Sequence, residues 1–184
     1  MEDQHRYTVE DVIKREDHAE LIDNTLVVTE MTSTTHNNAV LEIAATIRRH
    51  IEVNGIGDKV FTGNVALYCD ELCDEEGNMF LPDVMVVHEG DGICEDGIHI
   101  SPVFIAEVAT ESSLRNDYGW KMIIYRDIGV MEYWVVDLKQ KAIVRYLAEN
   151  EFVSEIIKFE DYCVTSVNTY PGLAVDLSNI FLMS

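Results

Sequence analysis

The segment 103–110, VFIAEVAT, constrains this chain more than any other. Its short apolar run reads as a strand covered on both faces, as interior strands of a sheet are. Glu107 stands in the middle of it. Side chains alternate along a strand, so Glu107 shares a face with Ile105 and Ala109, while Ala106 and Val108 point the other way. An ionised carboxylate in such surroundings is costly unless something pairs with it, and an unpaired one takes up a proton instead. The fold has to bring Glu107 a cation or leave it protonated.

Two sources of compensation are legible. The first runs through Asp83 in LPDVMVV, at the mouth of another apolar strand. Two carboxylates on neighbouring strands repel each other when both ionise, unless a cation bridges them. Hard divalent ions such as Mg2+ prefer carboxylate oxygens and retain several waters. The second source is Lys121. In SSLRNDYGWKMIIYRDIG, Asp117, Lys121 and Tyr125 are spaced i, i+4, i+8 and share one helix face. That helix follows the Glu107 strand directly and can pack back over it. Asp, Glu and Lys converging on one spot suit metal-dependent hydrolysis: carboxylates hold the ion, and the lysine positions water or offsets developing charge. Glu20, in AELID, adds a further carboxylate if its hairpin neighbours the site, which the spacing alone does not require.

Around these residues the pattern is mixed. Residues 8–17 read as a short helix capped by Thr8. Residues 19–31 read as strand–turn–strand about Asp23-Asn24. The first long helix spans TSTTHNNAVLEIAATIRRHIEVNG, with Val40, Ile43, Ala44, Ile47 and Ile51 at helical spacing and Gly55 as its stop. KVFTGNVALYCD gives one strand or a broken pair hinged near Gly63-Asn64, ELCDEEGNM a solvated acidic loop, and FLPDVMVVH a strand entered through Pro82. HEGDGICEDGIHISP reads as a loop, and SSLRNDYGWKMIIYRDIG as the second long helix, ending at Gly129. MEYWVVDL and KAIVRYLAE form a hairpin that EFVSEIIKF continues, and PGLAVDLSNIFL closes with a short strand and a helical turn. The expected class is α/β or α+β, a central mixed sheet flanked by helices. At 184 residues and 47% apolar content, one domain over 1–184 is expected.

With these residues in hand, the chain resembles the Uma-two-type restriction-endonuclease-like family of the PD-(D/E)XK nuclease superfamily. The matching pieces are AELIDNTLVV, THNNAVLEIAATI, LPDVMVV, FIAEVAT, RNDYGWKMIIYRDIGVMEYWVVD and PGLAVDL, covering about residues 19–177. The resemblance implies a restriction-endonuclease-like core and cleavage of nucleic acid, presumed DNA, with Mg2+ or Mn2+. It implies Asp83 and Glu107 as metal carboxylates and Glu20, the matching N-terminal acid, as a third metal ligand. Ala109 stands where the superfamily's second-position lysine would fall, and the family's helix lysine maps onto Lys121. Thr110-Glu111-Ser112-Ser113 replaces the family's usual proline-containing stretch.

Rival readings stand beside this one. Glu107 can be a structural acid paired with Lys121 without metal, Asp83 a turn acid after proline, and Lys121 a solvated helix lysine. His36 reads as a helix-start capping or packing residue, and His88 and His99 are not counted as ligands. Tyr125, Tyr133 and Trp134 read as core or interface aromatics, the latter leaving a homodimer open. Cys69, Cys73, Cys94 and Cys163 form no double metal pair, so free thiols in a reducing cytoplasm are expected. No apolar run reaches membrane-spanning length, and MEDQHRYTVEDVIKRED lacks a signal-type apolar region. The net charge of −21 opposes a phosphate backbone, unless Arg48, Arg49, Lys59, Arg115 and Arg126 gather locally. It leaves two alternatives to a nuclease: a catalytically inactive interaction module of the same fold, and an acidic protein with a basic partner.

Overall fold

Thr8 caps the first helix, α1 (Val9–Ile13), through a reciprocal capping box with Asp11. The computed structural model describes residues 6–28 and 31–182. The helix is shorter than the expected 8–17, since its exposed second half has no apolar stripe to bury. β1 (Ala19–Ile22) and β2 (Thr25–Val28) form the expected hairpin, and both turn residues, Asp23 and Asn24, take positive φ (48° and 58°). Residues 29–30 of the expected strand lie outside the described residues.

The long helix α2 (Thr34–Asn54) runs from the Ser33 cap to Gly55, whose φ of 65° provides the left-handed terminus. Its buried stripe contains the five residues read from the sequence, together with Ala39 and His36. The Ser33 side chain accepts from His36 N at 3.1 Å. Ser33→Ala should lower stability by about 1 kcal/mol in chemical denaturation.

The segment after α2 divides between two sheets, which was not evident from its apolar runs. β3 (Lys59–Thr62) joins the main sheet, β4 (Leu67–Tyr68) and β5 (Met79–Phe80) join the small one, and β6 (Val84–Val87) returns to the main sheet. The expected strand FLPDVMVVH is thus two strands separated by Leu81-Pro82-Asp83. The acidic loop between β4 and β5 is more than a solvated face. Asp70 accepts from the amides of Gly77 and Asn78 at 3.0 and 2.6 Å, and the fully buried Asn78 bonds to Asp23 N and Trp120 Nε1.

β7 (Phe104–Ala109) is followed by α3 (Leu114–Asp117) and α4 (Trp120–Asp127), and then by β8 (Glu132–Asp137), which pairs with β7 in parallel. The second long helix is therefore broken. Gly119 departs from helical geometry (φ −110°, ψ −97°), and a Cβ there would stand 2.7 Å from the Arg115 carbonyl oxygen. β9 (Ala142–Leu147) and β10 (Glu155–Lys158) complete the main sheet in the order β10-β9-β8-β7-β6-β3. The small sheet has the order β2-β1-β5-β4, and β11 (Val164–Ser166) pairs with β12 (Ala174–Asp176) ahead of α5 (Leu177–Phe181).

The two faces of β7 enter different cores. Phe104, Ala106 and Val108 pack with α2 and α5, while Ile105 packs with Phe80, Ile124, Tyr125 and Tyr133. Glu107 points to this second side, so it lies under α4 and beside the small sheet.

Candidate active site

Glu107 is 4% exposed, and each side of its carboxylate is engaged. Oε1 accepts from Lys121 Nζ at 3.0 Å and from the Tyr125 hydroxyl at 2.7 Å. Oε2 accepts from Asp83 N at 3.3 Å. The β6–β7 register pairs Val84 with Ala106, and one step further it sets Asp83 against Glu107. The Asp83 carboxylate accepts from Val108 N at 2.8 Å. These reciprocal backbone bonds fix the two acids side by side where β6 begins.

Lys121 is buried and meets three carboxylates: Glu20 Oε1 at 2.8 Å, Glu107 Oε1 at 3.0 Å and Asp117 Oδ1 at 3.8 Å. The β1 hairpin therefore does neighbour the cluster. Glu20 Oε1 also accepts from Leu81 N at 2.8 Å, which ties β1 to the segment leading into Asp83. Although α3 and α4 are separate, Asp117, Lys121 and Tyr125 all reach the same place. Asp117 is held by Ser113 Oγ at 2.6 Å, and its carbonyl accepts from the Tyr133 hydroxyl at 2.9 Å. Glu20, Asp83, Glu107, Asp117 and Lys121 line one pocket of about 260 Å³, with His36, Ser113 and Asn116 also on its wall.

The electrostatics are unbalanced. Burial pushes the Glu107 carboxyl up from 4.5 to about 8, against the pull of Lys121, and Asp117, Asp83 and Glu20 push the same way. Burial likewise raises Asp117, against Lys121 and Ser113. Burial weakens the hold of Lys121 on its proton, but Glu107, Glu20 and Asp117 outweigh it and hold the ammonium well above its ordinary value. Three carboxyl groups thus share one buried ammonium, with Asp83 beside them, and Asp117 Oδ1 is buried with no hydrogen-bond partner among the described residues. A further cation would offset this deficit.

The donor chemistry fits a hard divalent ion, since it is all oxygen and opens onto a pocket. The fit is that of a two-carboxylate site: Glu20, Asp83 and Glu107 do not set one oxygen each within 4.8 Å of one another. Mg2+ is commonly held by one or two carboxylates, with waters and substrate phosphates completing its shell. Asp83 and Glu107 would hold it, and Glu20 reaches the cluster on the lysine's side.

The family model described as "Uma2: Putative restriction endonuclease" matches residues 1–178. The chain belongs to the Uma2 family. No curated protein matches it. A solved structure described as a "putative nuclease belonging to DUF820 from Anabaena variabilis" is similar to this Uma2 chain, at 15% identity and a TM-score of 0.74. The likeness covers 95% of this chain and 97% of that one. At that identity it shows a shared fold, a mixed sheet flanked by helices, as the sequence led us to expect.

His36 does more than cap or pack the start of α2. Its Nε2 lies 3.2 Å from Asp83 Oδ2, its ring is buried, and its Nδ1 has no hydrogen-bond partner among the described residues. The signal was available, because His36 falls in register with Val40, Ile43 and Ile47 on the buried stripe of α2, where a polar residue needs a partner. Tyr125, Tyr133 and Trp134 are fully buried, as expected of core aromatics. Glu132 is a second buried acid with a structural explanation, accepting from Trp134 Nε1 and from the Thr169 amide and hydroxyl. Three of the five basic residues that a local patch would need are ion-paired: Arg48 with Glu52, Lys59 with Glu89 and Arg126 with Asp127. Among the described residues, no helix is long and apolar enough to cross a membrane.

Proposed function

We propose that this Uma2 protein is a divalent-metal-dependent endonuclease that hydrolyses phosphodiester bonds of nucleic acid. The observation that carries this reading is the convergence of Lys121 with Glu107, Glu20 and Asp117 on one pocket, beside the Asp83–Glu107 pair. Asp83 and Glu107 serve as the metal carboxylates, and Glu20 completes the acidic cluster. Mg2+ or Mn2+ in this place supplies a polarised phosphoryl oxygen and a more acidic water. Lys121, with two ammonium hydrogens on Glu20 and Glu107, directs the third toward the attacking water or the charge that develops on phosphate. Tyr125 and Asp117 keep the Glu107 carboxylate and the lysine in register, and His36 steadies Asp83. DNA is the presumed substrate. The paired surface cations and the charge of −21 favour weak, salt-sensitive binding, so activity is best sought at low salt.

Asp83→Asn is the direct test, because an asparagine oxygen can still accept from Val108 N and keep the strand junction. It should lower cleavage more than about 100-fold with Mg2+ or Mn2+ while thermal unfolding stays close to wild type. The close pairing of Lys121 with Glu20 and Glu107 favours a second reading, a metal-independent structural network in an inactive interaction module. Wild-type protein that cuts neither DNA nor RNA and whose melting temperature ignores Mg2+ and Mn2+ would establish that second reading.

A further inference from the structure

Outside this pocket, one cluster has the geometry of a metal site. Among the described residues, Cys94, Asp96 and His99 are the only His, Cys, Asp or Glu group of three or more whose ligand atoms all lie within 4.8 Å of one another. They sit on the connection between β6 and β7, at the opposite end of these strands from Asp83. Their placement is built rather than accidental. Cys94 N donates to Gly97 O at 2.9 Å and His99 N to Gly92 O at 2.8 Å, closing a small hairpin around an Ile93–Ile98 bridge. A Cβ on Gly97 would stand 2.5 Å from the Ala66 carbonyl oxygen, so the turn seats against the backbone before β4 only as glycine.

The histidine is oriented from outside the trio. His99 Nδ1 lies 2.7 Å from Glu71 Oε2, while Nε2 faces Asp96 Oδ1 at 3.2 Å. Its ring stacks on Tyr68, with centroids 4.4 Å apart and planes within 7°, and the Tyr68 hydroxyl donates to the Asp96 carbonyl. A metal-binding histidine characteristically has its second nitrogen fixed by a carboxylate in this way, which settles both ring orientation and tautomer. Cys94 and Asp96 are exposed, so an ion has open access and room for water.

We propose that Cys94, Asp96 and His99 bind one transition-metal ion of borderline softness, represented by Zn2+, with water in the fourth position and Glu71 orienting His99. A thiolate, an imidazole and a carboxylate suit Zn2+ or Co2+ and are a poor set for Mg2+. The site is therefore chemically distinct from the Asp83–Glu107 pair. Its ion would crosslink the small hairpin at the tip of the β6–β7 connection, while Glu71 joins His99 to the segment after β4.

Co2+ is the probe, titrated into reduced, metal-free full-length protein with excess Mg2+ present, and then displaced by Zn2+. One Co2+ per chain should bind with a thiolate-to-cobalt charge-transfer band. Cys94→Ser should abolish the band, although Cys69, Cys73 and Cys163 remain as thiols. His99→Ala and Glu71→Gln should each weaken Zn2+ binding by about 10–100-fold. Asp83→Asn should leave both the band and the Zn2+ affinity unchanged, which separates this site from the proposed nuclease centre. Circular dichroism confirms that each variant is folded. Absence of the band, its persistence in Cys94→Ser, or Zn2+ affinity unaltered by His99→Ala overturns the proposal and leaves His99 as an ion-paired bridge between Glu71 and Asp96.

Discussion

Lys121→Met should destabilise the metal-free protein by about 3–5 kcal/mol at pH 8 in urea denaturation, the usual cost of removing one partner from a buried charge pair. The methionine matches much of the lysine's length and apolar stem, so little of this cost is a cavity. It comes from leaving Glu20, Glu107 and Asp117 without the ammonium that stands within 2.8 to 3.8 Å of each. The deficit should shrink toward pH 5, because protons on Glu107 and Asp117, whose carboxyls burial raises, then take over the role of the missing charge. Mg2+ should recover part of it at pH 8 if Asp83 and Glu107 receive the ion. A loss below about 1 kcal/mol at pH 8 would place Lys121 with ordinary exposed ion pairs and contradict the network described here.

Glu107→Gln should separate stability from activity in the opposite direction. The raised Glu107 carboxyl, about 8 against 4.5, means that the folded protein keeps a proton that the unfolded chain releases. The native state binds more protons throughout that window, so the wild type's stability from this group is fully present below pH 4.5 and falls as pH rises toward 8. Glutamine has no proton to lose. The variant and the wild type should be nearly equal at pH 4.5 and diverge above it. By pH 8 the variant should be more stable by roughly 1–3 kcal/mol in the presence of EDTA, since each pH unit of displacement is worth about 1.4 kcal/mol and the lost charge-assisted bonds to Lys121 and Tyr125 take back part of it. The nuclease activity proposed above should disappear in the same variant. A protein that keeps a destabilising acid in its core because function needs it shows this pairing of outcomes. If urea curves at pH 5 and 8.5 show no divergence, Glu107 titrates like an exposed acid and the account of its burial is wrong.

Much of the site was legible because it depends on local pattern. A lone glutamate within VFIAEVAT announces an unsolved charge, and the i, i+4, i+8 spacing of Asp117, Lys121 and Tyr125 survives the break at Gly119. The break leaves α3 and α4 each about one to two turns long, and their residues still face β7. The Asp23-Asn24 hairpin and the stripe on α2 followed from turn and periodicity rules that involve few residues at a time. The division of strands between two sheets was not legible, because an apolar run carries no record of which sheet will receive it. Leu67–Tyr68 and Met79–Phe80 look no different from the strands of the main sheet.

The sequence by itself determined that Glu107 would be buried, that Lys121 could follow it back over the sheet, and that the chain would be a mixed α and β structure. Those conclusions rest on side-chain alternation, helix periodicity and the cost of burying charge, all of which act over short stretches. Only the tertiary structure decided the partners. It set Asp83 against Glu107 through the β6–β7 register, brought Glu20 to Lys121 from 101 positions earlier in the chain, placed His36 on Asp83, and assembled Glu71 with His99. Each of those contacts joins segments that only the packing of the sheets and helices brings together. No local rule fixes such distances, because they come from the shared burial of all the elements at once.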